Sequence, residues 1–174
     1  MSTYKRHLTS VNHEGLLYKL KKIGISGLFY NIIKNMYNNT ELCVKTDKDT
    51  MTENITSNIG VRQGGNLKPT LFKIFINDLI DSFDESCKPD ILNTLKLNCL
   101  LYADDLVLMS ETADGLQMCI DKLYNYCTKW GLQINIKKTK SVVFNNTGKL
   151  HDKIFNVNNG TLRPSPLKGG NTGV

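Results

Sequence analysis

No apolar run in this sequence approaches the roughly 18 residues needed to span a bilayer. Its first residues, MSTYKRHLTS, also lack the apolar centre of a secretory signal. These two absences predict an intracellular protein, cytoplasmic or nuclear, with no membrane partner. Asn-x-Ser/Thr matches at Asn54 and Asn145 then carry no glycosylation meaning. No CxxC pair occurs among Cys43, Cys87, Cys99, Cys119 and Cys127, and their odd number and irregular spacing argue against a disulfide framework, a zinc site or a redox dithiol. Reduced, mostly buried thiols are expected instead. No internal repeat is visible.

What is present fits one domain. The 174 residues are 40% hydrophobic and 22% charged, close to globular averages. A net charge of +6 favours an anionic partner such as nucleic acid, because Lys and Arg release counterions from phosphates. Solvated surface lysines are the plain alternative.

Periodicity predicts a helix from Asn12 to Gly24 carrying Leu16, Leu17, Leu20 and Ile23, with Asn12 as cap and Gly24 as stop. Ser26 opens a second helix whose buried stripe is Leu28, Phe29, Ile32, Ile33 and Met36. Alternating Leu42, Val44 and Thr46 suggest a strand, with a return near Ile55 to Ile59. A third helix starts at Pro69 and presents Leu71, Phe72, Phe75, Ile76, Leu79 and Ile80. Apolar runs at Cys99 to Leu101 and Leu106 to Met109 flank Ala103, Asp104 and Asp105, the pattern of a buried β-hairpin with acids at its tip. Thr112 caps a fourth helix with Leu116, Ile120, Leu123 and Cys127, ending at Trp130 and Gly131. Strands are expected at Leu132 to Ile136 and Ser141 to Phe144. Residues 1–150 form the expected domain and 151–174, with the Pro/Gly-rich TLRPSPLKGGNTGV, a poorly ordered tail. This mixed order favours an α+β fold, an antiparallel sheet with helices packed on one face.

Two segments carry chemistry. Adjacent acids at the tip of an apolar hairpin suit divalent-cation binding, because the flanks bury themselves while a carboxylate faces a cleft. An ordinary turn is the alternative, since Asp is a favoured turn residue. The stretch Gly60-Val61-Arg62-Gln63-Gly64-Gly65-Asn66-Leu67-Lys68-Pro69-Thr70 lets backbone approach a ligand at its glycines, while Arg62 and Gln63 can bond phosphate, sugar or base.

The string Leu100-Leu101-Tyr102-Ala103-Asp104-Asp105-Leu106-Val107-Leu108 resembles the YADD motif of reverse transcriptases, and the glycine stretch resembles the GVRQGCPLSP motif of their non-LTR retrotransposon branch. Gly65 and Lys68 depart from that pattern. Trp130-Gly131-Leu132-Gln133-Ile134-Asn135-Ile136-Lys137-Lys138-Thr139-Lys140 is similar to the segment that follows, with Lys138 at the matching lysine.

The resemblance implies a polymerase palm. Asp104 by preference, with Asp105, would hold Mg2+ or Mn2+; Arg62, Gln63, Gly64, Gly65 and Tyr102 would contact nucleotide and template; Lys138 would give a proton to departing pyrophosphate. The partners implied are an RNA template, a DNA primer and a dNTP. Ser10-Val11-Asn12-His13-Glu14-Gly15 resembles the end of the first palm motif, Phe-Asp-x-Val-Asn-His, which puts Leu8 and Thr9 where Phe and the first metal-binding Asp belong. The chain is therefore expected to be a partial palm, without fingers or thumb, and inactive alone. His13 is expected to make a structural contact. A non-catalytic RNA- or DNA-binding remnant and a group II intron-type enzyme are the alternatives.

Overall fold

The computed structural model describes residues 11–38, 41–42, 55–56, 60, 67–83, 90–91, 95–102, 105–144, 153–157 and 160–165. Helix α1 (His13–Lys22) begins where the Asn12 side chain accepts the Gly15 N–H at 3.1 Å, satisfying one of the donors a helix start leaves open. It ends in a reciprocal pair: Gly24 N–H donates to Lys21 O and Ile25 N–H to Leu20 O, with Gly24 at φ +89°. That left-handed turn is why glycine stands there. Both ends agree with the sequence reading.

Helix α2 (Gly27–Tyr37) forms as expected, but its apolar stripe does not bury as expected. Ile33 and Tyr37 are buried, whereas Leu28 (78% exposed), Phe29 and Ile32 face solvent. Periodicity defines a stripe, and only a neighbour along its whole width can cover it. Strand β1 (Glu41–Leu42) pairs antiparallel with β2 (Ile55–Thr56), Leu42 opposite Ile55, in keeping with the predicted return; Val44 and Thr46 lie outside the described residues.

Helix α3 (Lys68–Ile76) carries Pro69 in its first turn, where a missing N–H costs nothing. It tightens into a 3-10 helix, Asn77–Ser82. Leu71, Phe72, Phe75, Ile76 and Leu79 are buried; Ile80, expected on the same face, is about half exposed because the tighter 3-10 turn moves it round.

Two short strands, β3 (Asp90–Ile91) and β4 (Leu95–Lys96), pair antiparallel. Next comes the hairpin of β5 (Cys99–Tyr102) and β6 (Asp105–Leu108). Helix α4 (Ala113–Trp130) follows, capped by Thr112, whose Oγ1 accepts the Gly115 N–H at 3.0 Å; Gly131 at φ +70° stops it. Its buried face is Cys119, Ile120, Leu123, Tyr126 and Cys127.

The strand expected at Leu132 to Ile136 is absent. Asn135 O instead accepts N–H groups from Lys138 (3.1 Å) and Thr139 (3.0 Å) and the Thr139 hydroxyl (2.8 Å), folding the segment into a turn. Strand β7 (Ser141–Val142) is shorter than the predicted Ser141 to Phe144. Strands also occur among the described residues of the segment expected to be a tail. There β8 (Phe155–Val157), β9 (Gly160–Leu162) and β10 (Pro164–Ser165) form, with β8 antiparallel to β9 and β10 parallel to β7. Burial of Phe155, Val157 and Leu162 supplies the free energy that composition alone did not suggest. The Gln117 side chain adds to this: it donates to Asn156 O and accepts from Asn156 N, both at 2.9 Å, taking the place of a neighbouring strand. The fold is mixed α and β, and among the described residues the strands form two-stranded pairs rather than one continuous sheet.

The chain divides into two compact units. Among the described residues one gathers those from 11 to 78 with 129–133, and the other those from 79 to 128 with 134–165. In the first, α1 packs against α2 and α3. Its core is Val11, Leu16, Leu20, Ile33, Leu71, Phe72 and Phe75, and it includes a cation. Lys19, 2% exposed, reaches Asp78 Oδ1 (2.6 Å) and Phe75 O (2.5 Å), with Nζ 3.8 Å from the Trp130 ring centre. In the second unit Ile120, Phe155, Val157 and Leu162 form a cluster against which Leu108, Leu116, Ile134 and Ile136 pack. No helix among the described residues is long and apolar enough to cross a membrane.

Candidate functional site

The hairpin forms where the sequence predicts one, but it is not wholly buried, and Asp105, expected at its tip, begins β6. Cys99 pairs with Leu108, Leu100 with Val107, Leu101 with Leu106 and Tyr102 with Asp105. Ala103 and Asp104, the two residues joining the strands, lie outside the described residues. A further bond, Met109 N–H to Asn98 O at 2.8 Å, continues the ladder at the open end.

Because cross-strand partners share a face and alternate residues change face, Leu100, Tyr102, Asp105 and Val107 stand on one side of the pair. That side is open: Leu100 and Val107 are about half exposed and Tyr102 is 83% exposed. The expectation of a wholly buried hairpin is therefore corrected; only the side bearing Cys99 packs into a core. Asp105 sits beside Tyr102 on the open side, yet its Oδ1 is buried and has no hydrogen-bond partner among the described residues. An unpaired, desolvated carboxylate oxygen is costly, so it marks a place where a cation or a donor would bind favourably.

The glycine segment is described at its two ends. Gly60 has φ +92°, a conformation L side chains rarely adopt. Its N–H donates to Val11 O at 2.7 Å, and its carbonyl oxygen lies 2.7 Å from His13 Nε2. A carbonyl can only accept, so His13 carries its proton on Nε2 there. At the far end Leu67 O accepts the Leu71 N–H as α3 begins. Arg62, Gln63, Gly64 and Gly65 lie between these anchors and outside the described residues, as does Thr9.

Lys138 is exposed on the turn held by Asn135, with Lys137 and Lys140 exposed beside it. Of the predicted site residues, then, Tyr102 and Asp105 are placed side by side, and Lys138 stands on a separate turn of the same unit. Among the described residues no group of three or more His, Cys, Asp or Glu side chains gathers as a metal cluster. His13 makes the structural contact expected of it; its partner Gly60, 47 residues on, was not foreseen from the sequence.

Comparison with known proteins adds the lineage. Residues 8–162 match the family reverse transcriptase (RNA-dependent DNA polymerase). Over 133 residues the chain is 29% identical to the retrovirus-related Pol polyprotein from the type-2 retrotransposable element R2DM of Drosophila melanogaster, which is 76% of this chain and 12% of that protein. It is 28% identical over 145 residues to the Pol polyprotein from the type-1 element R2 of Nasonia vitripennis, covering 83% of this chain and 14% of that one. With the RNA-directed DNA polymerase from the mobile element jockey of Drosophila melanogaster it shares 30% identity over 149 residues, 78% of this chain and 15% of the relative. The chain thus spans between 12% and 15% of the length of these relatives. Matched from residue 8 to residue 162, with its acidic hairpin inside the match, the chain belongs to the reverse transcriptase family, in the branch of non-LTR retrotransposons.

Proposed function

We propose that this chain is part of a reverse transcriptase palm whose β5–β6 hairpin carried the cation-holding acids of RNA-directed DNA synthesis, and that alone it does not polymerise. The observation that carries the reading is Asp105: paired with Tyr102 beside a two-residue connection, with a buried carboxylate oxygen that has no donor among the described residues.

Asp104 by preference, with Asp105, would hold Mg2+ or Mn2+. Such ions supply charge stabilisation to the attacking and leaving oxygens of phosphoryl transfer. The unpaired Asp105 oxygen fits that demand; the neutral hydroxyl of Thr9, at the position of the family's first aspartate, does not. Arg62, Gln63, Gly64 and Gly65 would seat the dNTP and the RNA template, and Tyr102, on the open face of the hairpin, would lie under the DNA primer and template strands. Lys138 would protonate departing pyrophosphate, a task for a cation beside phosphates.

Losing one preorganised electrostatic stabiliser costs a factor of about 10² to 10³ in rate, and loss of a metal-binding carboxylate costs at least as much. Primer extension on an RNA template with Mg2+ tests this. The chain as it stands is expected to yield no extension; Thr9→Asp is expected to bind Mn2+ more tightly, and Thr9→Asp with Asp104→Asn to lose that gain. Robust synthesis by the unaltered chain contradicts the inactivity, and a Thr9→Asp gain insensitive to Asp104→Asn contradicts the assignment of the acids.

A second reading, nucleic-acid binding without catalysis, draws support from the net charge of +6 and the exposed Lys137, Lys138 and Lys140. Salt-dependent RNA binding that survives Asp104→Asn favours it, and no binding even at low salt removes it.

A further inference from the structure

We infer that Tyr18 and Trp130, with Lys22 and Lys129 beside them, form a stacking platform for single-stranded nucleic acid. The site uses no residue of the β5–β6 hairpin and does not depend on the hairpin's chemistry.

Two helix ends bring rings and charges together. The last turns of α1 and α4 carry cations, Lys19, Lys21 and Lys22 in one and Lys129 in the other, where helix carbonyls favour them. Trp130 closes α4 and lies against α1, where a Cβ at Gly15 would come within 3.4 Å of its ring. The edge of Phe75, 5.8 Å from it between ring centres, and Lys19 Nζ, 3.8 Å from its centre, hold the indole in place. Trp130 is nevertheless only partly buried. Beside it Tyr18 is 60% exposed, with ring centres 6.1 Å apart and planes 35° from each other. A fixed indole next to an open phenol presents π-faces on which a further flat ring can stack. All of these residues belong to one compact unit.

The charge around these rings is positive in excess. Lys19 is answered by Asp78. Burial lowers the Lys19 ammonium, the Asp78 bond opposes that, and the charges of Lys22 and Lys129 add to the lowering, which puts both lysines near the ring that Lys19 touches. Lys129 Nζ stands 5.6 Å from the same ring centre. Lys22 and Lys129 are exposed, and neither pairs with a carboxylate among the described residues. Glu14, one helical turn before Tyr18, is the nearest acid along α1, and the two lysines outweigh it. Exposed cations beside exposed rings suit a single strand, whose phosphates meet the ammonium groups while its bases stack. An acidic peptide would use the charges and leave Tyr18 idle, and a duplex keeps its bases stacked on one another.

The test uses the full chain with two probes, fluorescein-labelled oligouridylate and oligothymidylate, so that RNA and DNA strands are compared. Probe anisotropy gives affinity. Emission of Trp130 gives location, because the chain has one tryptophan. Tyr18→Ala removes the exposed ring, and Tyr18→Phe keeps the ring without its hydroxyl. Lys22→Gln together with Lys129→Gln removes the two charges, and Lys73→Gln removes one exposed charge from α3 as a control for net charge. Melting temperature checks that each variant is folded.

Saturating oligonucleotide is expected to quench Trp130 emission. Tyr18→Ala should weaken binding about five- to a hundredfold, the worth of one stacked base, and Tyr18→Phe should keep it. The double lysine variant should flatten the slope of log affinity against log salt by about 1.4, the share of two phosphates on a single strand, whereas Lys73→Gln should leave the slope nearly as it was. Saturation without quenching overturns the proposal, as does an affinity indifferent to Tyr18→Ala. Displacement by polyphosphate or polyglutamate at equal charge overturns it too, since the surface would then take any polyanion or an acidic protein. Absence of binding to either strand sinks this platform and leaves the hairpin reading standing, because primer extension and the acid substitutions judge that reading by themselves.

Discussion

In the unit built from α1, α2 and α3 the core encloses a paired charge, whereas in the other unit the cluster where α4 meets β8 and β9 is apolar. Lys19 sits under Trp130 with Asp78 as its counter-ion, both partners largely desolvated. Ile120, Phe155, Val157 and Leu162 meet with no such partner to satisfy, and Cys119 and Cys127 line the same helix as Ile120. A buried ion depends on its counter-ion, so removing that counter-ion leaves an uncompensated charge in the core. An apolar cluster loses stability in step with the volume removed. The α1–α3 core therefore has an electrostatic point of failure that the cluster of α4, β8 and β9 lacks.

The largest expected effect follows from that asymmetry. Asp78→Asn removes the counter-ion of Lys19, leaving its bond to Phe75 O, and should cost about 3 kcal/mol in urea unfolding, near the lower end for a broken buried pair because Asp78 is partly exposed. Lys19→Met keeps the stem against Phe75 and Trp130, and leaves behind the carboxylate that water can reach, so about 1 kcal/mol is expected. Equal costs would mean the pair behaves as a surface bridge and the contrast between the units is false. Burial pulls the Lys19 ammonium below its ordinary value, and the Asp78 hydrogen bond works against that pull, which is the balance Asp78→Asn removes.

The next effect tests the apolar unit. A Cβ at Gly160 would lie 2.6 Å from Ile136 Cδ1, so Gly160→Ala should destabilise by about 1 kcal/mol through overpacking. Ile136→Val, which deletes the nearest carbon, should bring the double variant back towards the parent. No rescue would show that Ile136 is not what excludes the methyl group.

The smallest effect at neutral pH is a slope. Burial pushes the Cys99 thiol up to about 11 and Cys127 up to about 12, from 9.0. Their folded values exceed the unfolded one, so their contribution is complete below pH 9 and is lost as pH rises towards those values. Stability of the chain should fall across that window, and less so in Cys127→Ala; a slope unchanged by that substitution would place the thiol in water.

How much of this could be read in the sequence depended on how local the cause was. Asn12, Gly24, Thr112 and Gly131 delimit α1 and α4 because capping chemistry acts within a few residues. The α2 stripe misled because Leu28, Phe29 and Ile32 have helical spacing but are not covered by the described residues. Leu132, Ile134 and Ile136 alternate like a strand, yet Asn135 turns the chain, and alternation without a ladder partner leaves the backbone free to do so. Strands of two or three residues, such as β8 to β10, are too short to leave a period. Lys19 and Asp78 stand 59 residues apart, and nothing near either announces the other. In the candidate site the hairpin was legible, since apolar runs flanking acids are a local pattern, whereas Asp105, expected at its tip, begins β6 opposite Tyr102; the hold of His13 on Gly60, 47 residues away, was not legible.

The central claim is that the tip of the β5–β6 hairpin is a cation site. Titrating the 15N-labelled chain with Mn2+ tests it directly, because the ion broadens amide signals only near where it binds. Broadening centred on Leu101 to Leu106, abolished by Asp104→Asn together with Asp105→Asn, is the predicted result. Broadening spread evenly over the exposed acids, or centred elsewhere and indifferent to those substitutions, would contradict it.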